Sequence, residues 1–333
     1  MIGRLLGILL IVAAVAGGWQ YLKYQEFTRQ PLRLPDSGLS LTVEPGMSLG
    51  QLAHRLKERG VIDNPLFFKL LARQQRQASR IKAGEYHVIA GVTPVQLLDQ
   101  LVAGKVMNYA FTIIEGWRFS ELLDHLAADS IVTHKLTGGD EKTIMRRLGY
   151  PDEHPEGRFL PETYYFPRGL GDIALLKRAH DEMARFLAQA WEERDENLPY
   201  KTPYEALIMA SIVEKETGKA AERPRIAGVF VRRLRKGMLL QTDPTVIYGM
   251  GDRYKGNIRR GDLRRDTPYN TYTRRGLPPT PICLPGKDAI LAALHPADGK
   301  SLYFVARGDG SHQFSATLKQ HNRAVRKYQL KRR

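Results

Sequence analysis

Between Thr202 and Gly218 the chain carries a helical segment with no polar face: Ala206 to Val213 is apolar at every position except Ser211. A helix that is apolar all round has no side to offer water and is buried all round. Whatever this chain folds into must therefore wrap this segment. Its ends are punctuated for a helix. Thr202 is a candidate N-cap, with Glu205 three residues on, which makes a capping box. Pro203 takes the first helical position, and Gly218 is a candidate stop. Glu214 and Glu216 arrive at the C-terminal end. Desolvation disfavours the charged form of a carboxyl, and the partial negative charge of a helix C-terminus acts the same way. A carboxylic acid still protonated near neutral pH is what a general acid for glycosidic cleavage needs. Spacing leaves an alternative open, in which both glutamates pair with Lys215, Arg223 or Arg225 at a solvated helix end. The two glutamates differ by about 200° of helix rotation, so only one of them faces a given cleft.

The 333 residues, 43% hydrophobic, leave room for an anchor and one to three folded units and exclude wholesale disorder. The net charge of +16 implies an anionic partner. Nucleic acid, anionic lipid and a carboxylate-bearing cell wall all meet that requirement. One cysteine, Cys283, excludes an intramolecular disulfide and a Cys-based zinc site. Its setting, Pro-Pro-Thr-Pro-Ile-Cys-Leu-Pro, reads as a rigid loop with a packed thiol rather than a nucleophile. The nine histidines lack ligand spacing such as His-x-x-x-His. There is no Gly-rich phosphate loop and no Gly-x-Ser-x-Gly. No metal and no cofactor are expected.

Leu5 to Trp19 is an uncharged apolar run; with its flanks, Gly3 to Leu22, it approaches the roughly 20 residues a bilayer needs. Trp19 and Tyr21 would sit at the interface. Ala14-Val15-Ala16 also fits a signal-peptide cleavage pattern, but Trp19 and Tyr21 are unusual directly after such a site, so residues 1–22 are expected to be an anchor. Lys23, Arg29 and Arg33 on the far side weaken the positive-inside argument. Either way the remainder is exported, which counts against nucleic acid as partner. Residues 23–38, polar with Pro31 and Pro35, read as a linker. From Leu39 to about Lys105 the order is strand (Leu39–Val43), helix behind Ser48, helix behind Asn64-Pro65, strand (Glu85–Ile89) and a further helix behind Thr93-Pro94. Beyond 106 the elements lengthen: a strand over Tyr109–Ile114, a helix over Phe119–Ala128 behind Ser120, and a long amphipathic helix over Ile173–Glu193. Lys331-Arg332-Arg333 reads as a frayed basic tail.

Two resemblances add to this reading. Thr42 to Leu49 and Ile81 to Tyr86, in a strand–helix–helix–strand order, resemble a LysM module, a type that binds N-acetylglucosamine polymers; a LysM-shaped spacer is the alternative. Ala210-Ser-Ile-Val-Glu-Lys-Glu216 resembles the signature of the YceG-like family, the endolytic murein transglycosylases. The likeness continues through Val229–Leu234, Gly237-Met238, Leu240–Gly249, Tyr269–Tyr272, Gly276–Ile282 and Pro285-Gly286, and on to Leu302–Ala306, His312, Phe314-Ser315 and His321-Asn322. Upstream, Glu115-Gly116 and Leu160–Tyr164 also fit. The resemblance implies an α+β fold: an N-terminal transmembrane helix, a small LysM-like βααβ unit over 39–105, and a mixed α+β catalytic domain over 106–333.

The resemblance further implies that Glu214 is the catalytic acid and base, with Glu216 the alternative. The enzyme would cut peptidoglycan glycan strands between N-acetylmuramic acid and N-acetylglucosamine. It would leave 1,6-anhydromuramyl ends and limit nascent strand length. It would sit in the inner membrane by a single pass, with its catalytic part in the periplasm, beside synthases of the penicillin-binding type. Gln241, Thr242 and Asp243 form a polar turn suited to sugar hydroxyls or, alternatively, to capping. Asn270, Tyr272 and the 276–282 loop would line the cleft, unless the prolines merely stiffen that loop. The pairs Arg232-Arg233, Arg259-Arg260 and Arg264-Arg265 would suit nucleic acid. Export assigns them instead to stem-peptide carboxylates or lipid headgroups. The rival reading is a non-catalytic peptidoglycan-binding scaffold, against which an intact Glu214 argues.

Overall fold

The computed structural model describes residues 2–136 and 139–330; the expected basic tail, Lys331–Arg333, lies outside them. Helix α1 (Ile2–Arg29) contains one stretch, Gly7–Arg29, long and apolar enough to cross a membrane. Its 28 residues run for about 42 Å, more than the ~30 Å of a bilayer core. The segment expected as a linker is therefore helical as far as Arg29. The reason is packing: Tyr24 is buried edge-on against Phe67, at 5.7 Å between ring centroids, and its hydroxyl donates to Gln74 Oε1 at 2.6 Å.

The chain divides into two compact units. The first, residues 1–109 with 165–169, contains β1 (Leu39–Val43), α2 (Leu49–Glu58), α3 (Pro65–Gln74), β2 (Gly84–Val88) and α4 (Pro94–Ala103). Each helix starts where a side chain satisfies its first amides. Ser48 and Gln51 cap each other, as do Thr93 and Gln96, and Asn64 caps α3 ahead of Pro65. β1 and β2 pair antiparallel with Leu41 opposite Tyr86. Alternation turns Leu41, Val43, Tyr86 and Val88 inward onto Leu52, Leu56, Phe68, Leu97 and Leu98. The buried Tyr86 hydroxyl donates to Lys82 O, 2.7 Å away.

The second unit, residues 110–164 with 170–333, is mostly helical. In chain order the remaining elements are β3 (Asn108–Thr112), α5 (Phe119–Ala128), α6 (Glu141–Leu148), β4 (Thr163–Pro167), α7 (Asp172–Glu192), α8 (Pro203–Glu216), α9 (Arg223–Arg235), α10 (Asp243–Met250), α11 (Arg260–Arg264), α12 (Lys287–Leu294), β5 (Tyr303–Ala306), β6 (His312–Ser315) and α13 (Leu318–Val325). β3 pairs with β4, and β5 with β6. The helix expected behind Ser120 starts one residue earlier. Arg118 is its N-cap, and the Glu121 carboxylate accepts the Arg118 amide at 2.7 Å.

Helix α8 is the centre of this unit. It packs against α7, α9, α10 and α12, and every residue from Ala206 to Val213 is buried. Thr202 Oγ1 accepts the Glu205 amide, but the Glu205 carboxylate reaches Lys201 N rather than Thr202 N, so only half of the expected capping box forms. The helix ends at Glu216, before Gly218. Thr217 is extended and buried, and its hydroxyl accepts the Lys219 amide. Ser211, the one polar residue in the apolar run, donates to Ile208 O (2.7 Å) and accepts the Ile282 amide (3.0 Å). This bond ties the proline-rich loop to the helix and buries Cys283 fully.

Replacing Ser211 with alanine strands the buried Ile282 N–H. Thermal unfolding should show a loss of about 1–3 kcal/mol; an unchanged midpoint would mean that the loop is not held by this bond.

Candidate active site

Glu214 ends the buried run of α8 with its side chain 6% exposed. One carboxyl oxygen accepts from Arg223 Nη2 at 3.0 Å, the other from the Gly286 amide at 3.0 Å. Gly286 is the N-cap of α12, so the carboxyl faces the positive end of that helix. Burial pushes the Glu214 pKa up, and the Gly286 amide and Arg223 oppose that rise; the nearby Glu115 carboxylate adds to it. The group is therefore poised between two tendencies: its surroundings favour the acid, while two donors stand ready for the anion.

Arg223, at the start of α9, is 7% exposed and is shared. Besides Glu214 it binds Glu115 Oε2 (3.2 Å) and Asp288 Oδ2 (3.3 Å). Glu115 belongs to the turn after β3, which is stitched to the loop before α12 by Gly116 N to Leu284 O (2.8 Å) and Leu284 N to Trp117 O (2.7 Å). Glycine at 286 is required by this approach: a Cβ there would stand 1.9 Å from Glu115 Oε1. Lys215, between the two glutamates, is exposed and donates to Gly116 O at 3.2 Å.

Of the cationic partners open to the two glutamates in the sequence, Arg223 alone is used. It is buried rather than solvated, while Arg225 lies over the Phe314 ring. Glu216 points elsewhere, as the rotation along the helix requires. It accepts a hydrogen bond from Thr242 Oγ1. Burial raises its pKa to about 7, with the Thr242 bond opposing and Asp243 adding to the rise.

The other residues singled out in the sequence gather on the Glu216 side. Thr242 is buried, and its amide is held by Thr271 Oγ1. The Tyr272 hydroxyl donates to Asp243 Oδ1 at 2.5 Å. Asn270 is 1% exposed, and its amide nitrogen holds the carbonyls of Asp262, Leu263 and Arg265, the last at 2.7 Å. Gln241 is exposed and sits at φ 52°, a left-handed conformation that costs a non-glycine residue energy. The pair Arg232-Arg233 is turned inward. Arg232 donates to Ala297 O and Ser301 O, and Arg233 to Leu240 O and Leu302 O, so both guanidiniums cap internal carbonyls.

Sequence reasoning missed three contributors. Arg223 appeared only as one of several surface partners. Gly286 appeared without a role. Glu156, in the Pro-Glu-Gly turn before Phe159, carries no pattern that marks it. It is 4% exposed and accepts from the Phe119 amide at 3.0 Å and from the Tyr248 hydroxyl. Burial raises its pKa to about 7. Tyr248 in turn lines an open cleft of about 730 Å³, together with Arg118, Lys215, Pro244, Tyr254 and Lys255.

The YceG-like family model matches residues 41–327. A protein of Bacillus subtilis named endolytic murein transglycosylase is 33% identical over 313 residues, 87% of this chain and 84% of its own length. One of Streptococcus pneumoniae with the same name is 25% identical over 322 residues, 86% of this chain and 58% of its own. Among solved structures, a yceG-like protein from Listeria monocytogenes superimposes with a TM-score of 0.55 at 28% identity, covering 87% of this chain and 99% of that one.

Glu156 and Glu216 each hold a proton in the fold that an unfolded carboxyl of pKa 4.5 releases. Their stabilising contribution is complete below pH 4.5 and is lost as pH rises through about 7. Glu156→Gln keeps the acceptor for Phe119 N–H and removes the charge. It should melt like the parent at pH 4.5 and be more stable at pH 8, by on the order of 1–3 kcal/mol. Melting curves at the two pH values check this; a variant with the parent's full pH response would show that Glu156 does not titrate this way.

Proposed function

The chain belongs to the YceG-like family, and on that premise we propose that it is a lytic transglycosylase that cuts peptidoglycan glycan strands internally, with Glu214 as its acid and base. One observation carries this: a carboxyl 6% exposed at the end of a buried helix, its two oxygens on a buried guanidinium and a helix N-terminal amide.

In the proposed reaction, protonated Glu214 gives its proton to the oxygen joining N-acetylmuramic acid to N-acetylglucosamine. Arg223 and the Gly286 amide are already aimed at the carboxylate that results, so no reorganisation is needed as its charge appears. The carboxylate then accepts the proton of the muramyl 6-hydroxyl, which closes on C1 and leaves a 1,6-anhydromuramyl end. Most glycosidases need two carboxyl groups. Here the internal hydroxyl replaces water and gains the advantage of proximity, so one glutamate serves both steps. Gln241, Thr242, Asp243, Asn270 and Tyr272 lie on the Glu216 side of α8, so in this proposal they serve the strand away from the acid, with Thr242 and Asn270 buried and acting through the residues they hold. Gln241 would contact sugar hydroxyls directly; the strain at its backbone supports that role. Asn270 would act by holding the 262–265 turn.

The proposal extends to organisation. Residues 106–333 are the catalytic domain, and 39–105 a LysM-like unit that binds N-acetylglucosamine polymers; its strand–helix–helix–strand order supports this. The apolar part of α1 is a single-pass anchor in the inner membrane, with the rest in the periplasm. There the enzyme works beside synthases of the penicillin-binding type and limits the length of new strands. The alternative, a cleaved signal segment, predicts an N-terminus near residue 17 in the mature protein.

Glu214 falls beside a second carboxylate, Glu115, on the same Arg223 nitrogen, and this favours one rival: hydrolysis, with Glu115 activating water. The products separate the two. Uncrosslinked strands digested with the wild type should end in 1,6-anhydromuramyl, about 18 Da (one water) lighter than hydrolysed ends by mass spectrometry. Glu214→Gln should lower kcat/KM by about 10³-fold. Reducing ends would establish hydrolysis, and strands retained but uncut by the wild type would establish a binding scaffold.

A further inference from the structure

The cleft lined by Arg118, Lys215, Tyr248, Tyr254 and Lys255 is not used by the chemistry above, although it lies beside it. Lys215 follows Glu214 in α8. A Cβ placed on Gly116 would lie 3.8 Å from Lys215 Cδ and 4.0 Å from Glu214 Cγ, so both side chains flank the same turn. Arg118 stands two residues beyond that glycine, on the cleft wall. The cleft therefore opens within one turn of loop from the proposed acid.

Its lining joins two chemistries. Arg118, Lys215 and Lys255 form no ion pair among the described residues, although Lys215 Nζ donates to Gly116 O and Arg118 lies over Tyr248, so three cations face the space. Two acids share the wall, Asp252 and Glu121, the latter accepting the Arg118 amide, so three cations against two carboxylates leave the lining one net positive charge. The second chemistry is aromatic. Tyr248 has the Arg118 guanidinium over its ring (5.3 Å to the centroid) and Tyr269 tilted beside it (4.9 Å between centroids), and its hydroxyl is tied to the buried Glu156. Three contacts thus hold that ring as a fixed platform. Tyrosine faces suit the apolar face of a pyranose, and unpaired Lys and Arg suit carboxylates.

We propose that this cleft is the subsite for a sugar that carries an anionic peptide, with the pyranose on Tyr248 and the peptide carboxylates on Arg118, Lys215 and Lys255. The inference rests on the glycan-strand reading of Glu214 and adds to it a requirement on the substrate: strands bearing their peptides are bound in preference to strands stripped of them. At 730 Å³ the cleft has the size of a site for a ligand of this kind. Because Lys215 and Lys255 are exposed, the preference is electrostatic and falls as salt rises.

The test uses the full chain in detergent and glycan strands of matched length, with their peptides intact or removed by an amidase. Binding is measured with Glu214→Gln, and turnover with the wild type. Peptide-bearing strands should bind roughly fivefold more tightly, the size expected from one or two exposed charge pairs. Lys255→Glu in the same background should bring the ratio of the two Kd values toward one, and raised salt should do likewise. Equal Kd values for the two strands, or a ratio unmoved by Lys255→Glu, would overturn the subsite. Absence of turnover with the Kd ratio intact would instead overturn the catalytic reading and leave the subsite standing as a binding site.

Discussion

Arg223 is one guanidinium, 7% exposed, with three carboxyl groups on it, and four separate stretches of chain meet there. Glu115 comes from the turn after β3, Glu214 from the end of α8, Asp288 from the first turn of α12, and the arginine from the start of α9. Taking a charge out of water is costly and is offset only where partners are close and well placed. Arg223 meets that condition with three acids around one cation, which leaves negative charge in excess. On the most enclosed of the three, Glu214, burial raises the pKa, the arginine opposes that rise and Glu115 adds to it. The ion cluster is thus a device for assembly, while burial is what favours a proton on Glu214.

The contrast between Glu214 and Glu216 shows how little of this is a property of glutamate. Two residues apart on one helix, both have raised pKa values, and burial is the leading cause for each. Glu216 meets a neutral hydroxyl, Thr242, with an aspartate next to it. Glu214 meets a cation and a helix N-terminus. Only the second environment can stabilise a carboxylate made during a reaction, which is the requirement for a group that must donate a proton and take one back. Glu156 is a third buried acid with yet another setting, a backbone amide and a tyrosine hydroxyl. There it acts on the shape of the cleft wall.

Close approach of backbone is what makes the assembly possible. The turn 115–117 and the loop 284–286 exchange main-chain hydrogen bonds directly over the end of α8. Gly286 leaves room for the Glu115 carboxyl at a place where any Cβ would collide with it. Ser211 holds the same loop from below through the Ile282 amide. The order of dependence runs from the apolar helix to the loop it anchors, then to the amide and guanidinium that the loop and α9 bring to its last turn.

Much of this was legible in the chain because it depends on local pattern. The uniform apolarity of 206–213 required a buried helix. Ser48, Asn64, Thr93 and Thr202 marked helix starts that the fold uses, because a cap acts within three residues of its own position. The apolar run near the N-terminus appeared as one long helix. Local reasoning failed where a distant group decided the outcome. The helix continues past residue 22 because Tyr24 and Phe27 find Phe67, some 40 positions later. Arg232 and Arg233, charged and paired in sequence, turn inward because carbonyls near 300 need donors. That a carboxyl lies at the end of the buried helix was determined by sequence alone. Its partners (Arg223, Gly286 and the neighbouring Glu115, separated from it by 9, 72 and 99 residues) were decided only by tertiary structure. Burial of a helix is a sum over its own residues, whereas a charge is tuned by whatever the fold places within a few ångströms of it.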